Sequence, residues 1–202
     1  MTAAAYDAIA VKYAEFVAGA WDKHPLERAV WAAFADSVRG RGPVADLGCG
    51  PGHLTAHLRS LGLDSFGVDL SPVMVSLARA AHPDLRFEVG SMAALDMPDA
   101  SLAGILSWYS LIHTPPAEIP GCFAEFARTS ASGGHVLLGC FESGGGPLVP
   151  FDHKVTTAYS WPLDELAGLA AAAGFTEVGR VYREPGAGER PMRHGCLLLR
   201  KP

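Results

Sequence analysis

Val44-Ala45-Asp46-Leu47-Gly48-Cys49-Gly50-Pro51-Gly52-His53-Leu54 begins with four residues of buried-strand character, passes three glycines in five positions, and turns helical. Beyond Pro51 the apolar spacing Leu54, His57, Leu58, Leu61 is that of a helix. A strand running through a glycine turn into a helix is the ligand-binding edge of an open α/β sheet. Gly48 and Gly50 let the backbone turn tightly and lie against a ligand with no Cβ between them.

The glycines are not those of a dinucleotide fingerprint. Counting G-x-G-x-x-G from Gly48 puts the third glycine at position 53, which is His53; the glycine stands at Gly52. The strand also ends with Asp46, a carboxylate that opposes a pyrophosphate and suits an ammonium or a sulfonium. Asp46-Leu-Gly-Cys-Gly-Pro-Gly52 resembles motif I of the class I S-adenosylmethionine-dependent methyltransferases. Phe66-Gly67-Val68-Asp69-Leu70-Ser71 is similar to that family's second strand, ending in an acid about 20 residues on, where a carboxylate reaches a ribose. The resemblance runs from Tyr6 to the last strand.

The chain has 202 residues, 49% of them hydrophobic, enough for one domain with a sizeable core. A net charge of −5 without a polybasic run argues against nucleic acid as the partner. Cys49, Cys122, Cys140 and Cys196 are scattered among apolar or glycine neighbours, so they read as buried thiols in a reducing cytoplasm. No signal peptide and no membrane-length apolar run is visible. His53 and His57 stand one helical turn apart, but Leu54 occupies the place of a zinc peptidase's glutamate, so no metal is expected.

Along the chain, Thr2 to about Gly19 reads as an amphipathic helix with Ile9, Tyr13, Phe16 and Val17 on one stripe. A second helix starts at Pro25, carries Leu26, Val30, Trp31, Phe34 and Val38, and ends at Gly40 and Gly42. Ser71-Pro72 is an N-cap and first turn. Leu85-Phe87-Val89 alternates as a third strand, residues 102–107 as a fourth, and His135 to Phe141 as a fifth. Pro115-Pro116 opens a helix with Ile119, Cys122, Phe123 and Phe126 inward. Gly144 to Ser160 reads as a long irregular loop, of the kind that is usually functional. Residues 162–173 form a helix stopped by Gly174, and residues 175–182 and 196–199 a closing hairpin. The expected architecture is a three-layer α/β sandwich. Its sheet is seven-stranded and mostly parallel with an antiparallel C-terminal hairpin, residues 43–202 forming a Rossmann-like core under an N-terminal helical lid, residues 1–40.

The resemblance implies roles residue by residue. Asp46 and the turn Gly48, Cys49, Gly50 and Gly52 face the amino-acid end of the cofactor, and Asp69 accepts the ribose hydroxyls. Leu70 and Met74 pack on the adenine, Ser91 and Met92 meet its edge, and Ser107 and Trp108 lie beside the methionine. The family's adenine turn commonly carries an acid; Ser91 stands there instead, with a hydroxyl that still hydrogen-bonds. Tyr6 and Tyr13 fall where a lid tyrosine covers the cofactor.

Methyl transfer depends mostly on in-line alignment, with a base where the nucleophile carries a proton. His113 and His153 are the candidate catalytic bases, with Tyr109 a third. Tyr109, His113, Phe151 and Tyr159 are the candidate acceptor-binding residues, with Trp161 near the same edge. The implied activity is methyl transfer to a small molecule by a monomer or homodimer. Two other readings stand beside it: a cofactor-binding regulator or partner subunit without catalysis, and a nicotinamide-dependent oxidoreductase. A nucleobase amino-methyltransferase is not indicated, because Ser107-Trp108-Tyr109-Ser110 replaces the acid or amide, double proline and aromatic expected there.

Overall fold

The structure is a computed structural model describing residues 2–18 and 24–202. Five parallel strands form first: β1 (Pro43–Leu47), β2 (Asp64–Asp69), β3 (Phe87–Val89), β4 (Leu102–Trp108) and β5 (Ser130–Glu142). After the two-stranded ribbon β6 (Val149–Asp152) and β7 (Thr157–Ser160), the sheet is closed by β8 (Thr176–Arg183) and β9 (Arg193–Arg200). The sheet order is β3-β2-β1-β4-β5-β9-β8, with β9 antiparallel to both neighbours. The expected seven-stranded sheet and closing hairpin are therefore present. The order reverses between β1 and β4, so the carboxyl ends of those strands open a crevice there.

Alternation along the strands buries both faces of the sheet, which is why it sits between two helical layers. Ala45, Ile105, Val136 and Leu138 pack with Phe123 and Phe126 of α6 (Ile119–Thr129) and Leu163 and Leu166 of α7 (Leu163–Ala172). Val44, Leu106 and Leu137 pack on the other side with Trp31, Phe34 and Val38 of α3 (Pro25–Val38) and Leu58 of α4 (His53–Ser60). A third cluster joins Val75 and Ala78 of α5 (Pro72–Ala81) to Cys49 and Phe87. All four cysteines are buried free thiols. No helix of the described residues is long and apolar enough to cross a membrane.

Four expectations need correction. The first helix is two, α1 (Thr2–Asp7) and α2 (Ala10–Val17), because Ile9 leaves helical geometry and the Asp7 carboxylate accepts from α5 instead; Gly19 lies outside the described residues. Phe16 and Leu26 belong to the apolar stripes but are exposed. The third strand begins only at Phe87, since β3 is a short edge with Val89 outward. The expected loop 144–160 contains the β6–β7 ribbon, whose four-residue strands and internal Pro150 are too short and broken to give a period-2 signal.

Candidate active site

The glycine turn is built by positive φ at Gly48 (75°), Gly50 (53°) and Gly52 (85°), a region disfavoured for any residue with a Cβ. Space demands the same. A Cβ on Gly48 would fall 2.2 Å from Ser110 Cβ, and one on Gly52 2.7 Å from Phe87 Cζ. Gly52 thus serves the packing of α4 and β3, and lines neither cavity described below. Ser110 explains the crowding at Gly48, since its hydroxyl donates to Leu47 O (2.6 Å) and clasps the ends of β1 and β4 together.

Two acids flank the turn as expected, but in different settings. Asp46 is buried, and Thr55 Oγ1 donates to its carboxyl at 2.7 Å. Burial pushes its pKa up to about 7, partly offset by that hydrogen bond. Asp69 accepts the Gly50 and Ser71 N–H groups, one on each oxygen at 2.8 Å. Burial raises its pKa as well, opposed by those two N–H donors. The carboxylate therefore ties the glycine turn to the start of α5 and keeps lone pairs for further donors. Ser71 caps α5, accepting from Met74 N at 3.0 Å, and its hydroxyl donates to Asp7.

Two cavities meet at this edge. The smaller, about 90 Å³, is lined by Asp69, Leu70, Met74, Met92 and His113, with Tyr6 and Ala3 from α1 across it. The larger, about 300 Å³, is lined by Asp46, Cys49, Phe141, His153 and a polar group of Glu27, Arg183, Glu189 and His194. Tyr13, Gly48, Gly50, Trp108 and Tyr109 line both, so the two spaces share a wall.

Several expected site residues stand elsewhere. Ser107 is fully buried, lines neither cavity, and its hydroxyl lies 2.8 Å from that of Ser110, where it supports the clasp. Ser91 also lines neither, its hydroxyl accepting from Ala93 N in its own turn. Phe151 and Tyr159 lie on the β6–β7 ribbon outside both cavities. Phe151 packs edge-on against Phe141 and lies under the Arg190 guanidinium. His113 is fully engaged: its Nδ1 faces Thr157 O at 3.0 Å and so carries the proton, which leaves Nε2 to accept from the Tyr6 hydroxyl at 2.8 Å. A ring with both nitrogens committed fastens α1 to the β6–β7 ribbon.

Sequence reading missed the polar end of the larger cavity. Tyr109 has φ 52°, a left-handed backbone rare for a bulky residue. Its hydroxyl bonds His194 Nδ1, and His194 Nε2 lies 3.8 Å from Glu189. Burial and the nearby Arg183 push the His194 pKa down to about 4, so the ring is neutral at neutral pH; with Nε2 turned toward the Glu189 carboxylate the proton belongs on Nε2, and Nδ1 accepts from Tyr109. Arg183 and His194 are paired residues of the closing hairpin and Glu27 comes from α3, 156 positions from Arg183; the one local signal was a glutamate on the otherwise apolar face of α3.

The residues present fit S-adenosylmethionine. They offer two carboxyls for a cationic nucleoside, bare glycine backbone between them, and Met74 and Leu70 as an apolar floor. When bound, that cofactor supplies a methyl group on a positively charged sulfur. No cluster of described residues is arranged to hold a metal ion.

Comparison with known proteins agrees with this geometry. A methyltransferase domain family matches residues 44–134. The chain is 29% identical over 191 residues to malonyl-[acyl-carrier protein] O-methyltransferase of Erwinia billingiae, covering 84% of this chain and 74% of that protein. It is 47% identical to trans-aconitate 2-methyltransferase of Rhizobium meliloti over only 62 residues, 30% of this chain and 24% of the relative. Among solved structures it resembles Burkholderia thailandensis 1,6-didemethyltoxoflavin-N1-methyltransferase, whose structure holds 1,6-didemethyltoxoflavin and S-adenosylhomocysteine. The TM-score is 0.76 at 25% identity, over 98% of this chain and 88% of the other. The domain match is confined to the glycine turn and the strands around it, whereas the structural likeness runs nearly end to end; together they make the chain a class I S-adenosylmethionine-dependent methyltransferase.

Proposed function

We propose that this methyltransferase modifies a small molecule seated in the larger cavity, with residues 43–202 as the catalytic core and the helices before residue 40 as its lid. The observation that carries this reading is the shared wall. Trp108, Tyr109 and the Gly48–Gly50 turn border both spaces, so an acceptor in one lies beside a cofactor in the other. A protein that only binds the cofactor has no use for a second, larger space at that point. In this reading Asp46 pairs with the amino group of the cofactor, Asp69 holds the ribose, Met74 and Met92 flank the adenine, and Tyr13 with Tyr6 closes over it. The same family setting supports small acceptors, since the relatives are named for malonyl-[acyl-carrier protein], trans-aconitate and 1,6-didemethyltoxoflavin. His153, half-buried against Phe141 and His113, lines the acceptor cavity and, of the two expected bases, is the one whose ring can take a proton directly. Calorimetry with S-adenosylhomocysteine tests the reading. Binding in the micromolar range is expected, and absence of heat at millimolar ligand refutes it.

A further inference from the structure

The larger cavity carries a charge pattern that selects among acceptors. Arg183 is the one lysine or arginine among the described residues lining either cavity, and it has no donor to spare. Its Nε and Nη2 donate to Glu27 Oε1 at 3.1 and 2.9 Å. Its Nη1 and Nη2 donate to Glu189 at 2.6 and 3.1 Å, and Nη1 also reaches Glu184 O at 3.3 Å. Five N–H groups thus make five hydrogen bonds to four acceptor atoms, Glu27 Oε1 taking two, which is the full complement of a guanidinium. Against this single cation stand the carboxyls of Glu27 and Glu189; Asp46, the third lining carboxyl, is the one given to the cofactor's amino group. His24 Nε2 faces Glu189 at 3.2 Å.

Carboxylate recognition uses a guanidinium fork with free parallel N–H groups, and none is free here. An anionic acceptor would enter a space with excess negative charge and lose its water without gaining a donor. The remaining polar lining is rich in acceptors. The Tyr109 hydroxyl gives its proton to His194 and keeps its lone pairs open, as do the two glutamates. The rest of the wall is aromatic: Trp108 and Tyr109 meet edge to face at 5.6 Å, and Tyr109 and Phe141 at 5.0 Å. Ring faces with acidic neighbours favour flat, uncharged or cationic partners.

Resting on the cavity assignment above, we infer that the acceptor is a flat aromatic ring, uncharged or cationic, that presents N–H or O–H donors to Tyr109 and the glutamates, and that carboxylates are excluded. The carboxylate substrates named for two relatives are thus not this chain's. On transfer, the acceptor's N–H or O–H bond breaks and its heteroatom bonds the methyl carbon as the carbon–sulfur bond breaks. The sulfur keeps the electron pair, and the proton passes to His153 on the cavity wall and from there to solvent.

The test uses the full chain saturated with S-adenosylhomocysteine and a matched pair of probes, 4-hydroxyquinoline and 4-hydroxyquinoline-2-carboxylate, followed by calorimetry. The uncharged ring is expected to bind at least about tenfold more tightly than its carboxylate. Glu189→Gln frees part of the Arg183 fork and is expected to raise carboxylate affinity several-fold, with S-adenosylhomocysteine binding unchanged as the control for folding. A carboxylate that binds the wild-type protein as tightly as the uncharged ring overturns the inference, as does failure of both probes at millimolar concentration. Failure of S-adenosylhomocysteine itself would instead overturn the methyltransferase site, so the two failures are told apart in one titration series.

Discussion

Asp46 gives the sharpest test of how the cofactor is held. A free aspartate ionises at about pH 3.9, and burial lifts Asp46 to about 7, so roughly 4 kcal/mol opposes its ionisation in the unliganded protein. Pairing with an ammonium requires the charged form. Binding of S-adenosylhomocysteine should therefore release close to one proton below about pH 6.5, with affinity falling about tenfold per pH unit below 7. Asp46→Asn keeps the shape and the Thr55 contact but removes the charge. At about pH 8 it should cost about 1.5–3 kcal/mol, a ten- to hundredfold loss. Near pH 5 wild type and variant should converge, because the wild-type carboxyl is then neutral. Stability of the unliganded protein moves the opposite way. The folded state holds the Asp46 proton more tightly than the unfolded one, so stability falls as pH rises from about 4 to about 7, and the variant loses that slope. Calorimetry in buffers of different ionisation enthalpy reads the proton directly. A pH-independent affinity, or an equal loss in the variant at both pH values, would refute the assignment of Asp46 to the amino group.

Other outcomes follow from the same geometry. Gly48→Ala sets a Cβ into Ser110 at a positive φ and is expected to cost about 2–4 kcal/mol, read as a lowered midpoint in urea; a loss within about 0.5 kcal/mol would contradict the clasp. Tyr6→Phe removes the lid's bond to His113; it should leave the fold within about 1.5 kcal/mol yet speed release of S-adenosylhomocysteine, followed by stopped-flow tryptophan fluorescence. His153 is held to about 4 by burial and then by His113, as His194 is by burial and Arg183. Their folded values lie below the unfolded one, so the stability they contribute is complete above about pH 6.5 and drains away as pH falls toward 4, which urea melts of Asp46→Asn isolate from the aspartate. Trp31→Ala should cost about 3–5 kcal/mol in the same melts, since the ring is fully buried against α4 and β4.

The sheet was readable because its determinants are local. Glycines alternating after Asp46, a serine and proline opening α5, and apolar runs at strand length each announce themselves within a few residues. The glycine turn and the two acids beside it were readable for the same reason, as positions on the sheet edge. The β6–β7 ribbon escaped because four-residue strands with an internal proline give no period. The partners of Ser107 and Ser91 were not readable, because a strand-end hydroxyl can serve a neighbouring hydroxyl or backbone N–H as well as a ligand; Ser107 meets Ser110 and Ser91 accepts from Ala93 N. The charged end of the larger cavity was invisible for a deeper reason. Glu27 and Arg183 are 156 positions apart, and each reads alone as an ordinary surface charge.

His113 touches three separate parts of the chain. Its ring accepts from Tyr6 of the N-terminal helix, donates to the Thr157 carbonyl of the ribbon, and lies edge-on to His153 at 5.0 Å on the wall of the larger space. A mechanical latch of this kind imposes a queue. In the proposed reading a guest under Tyr6 is coupled through this one ring to Thr157 and His153, so the second berth takes its final shape once the first is filled. Steady-state kinetics should accordingly follow a compulsory sequence, nucleoside first on and its spent form last off.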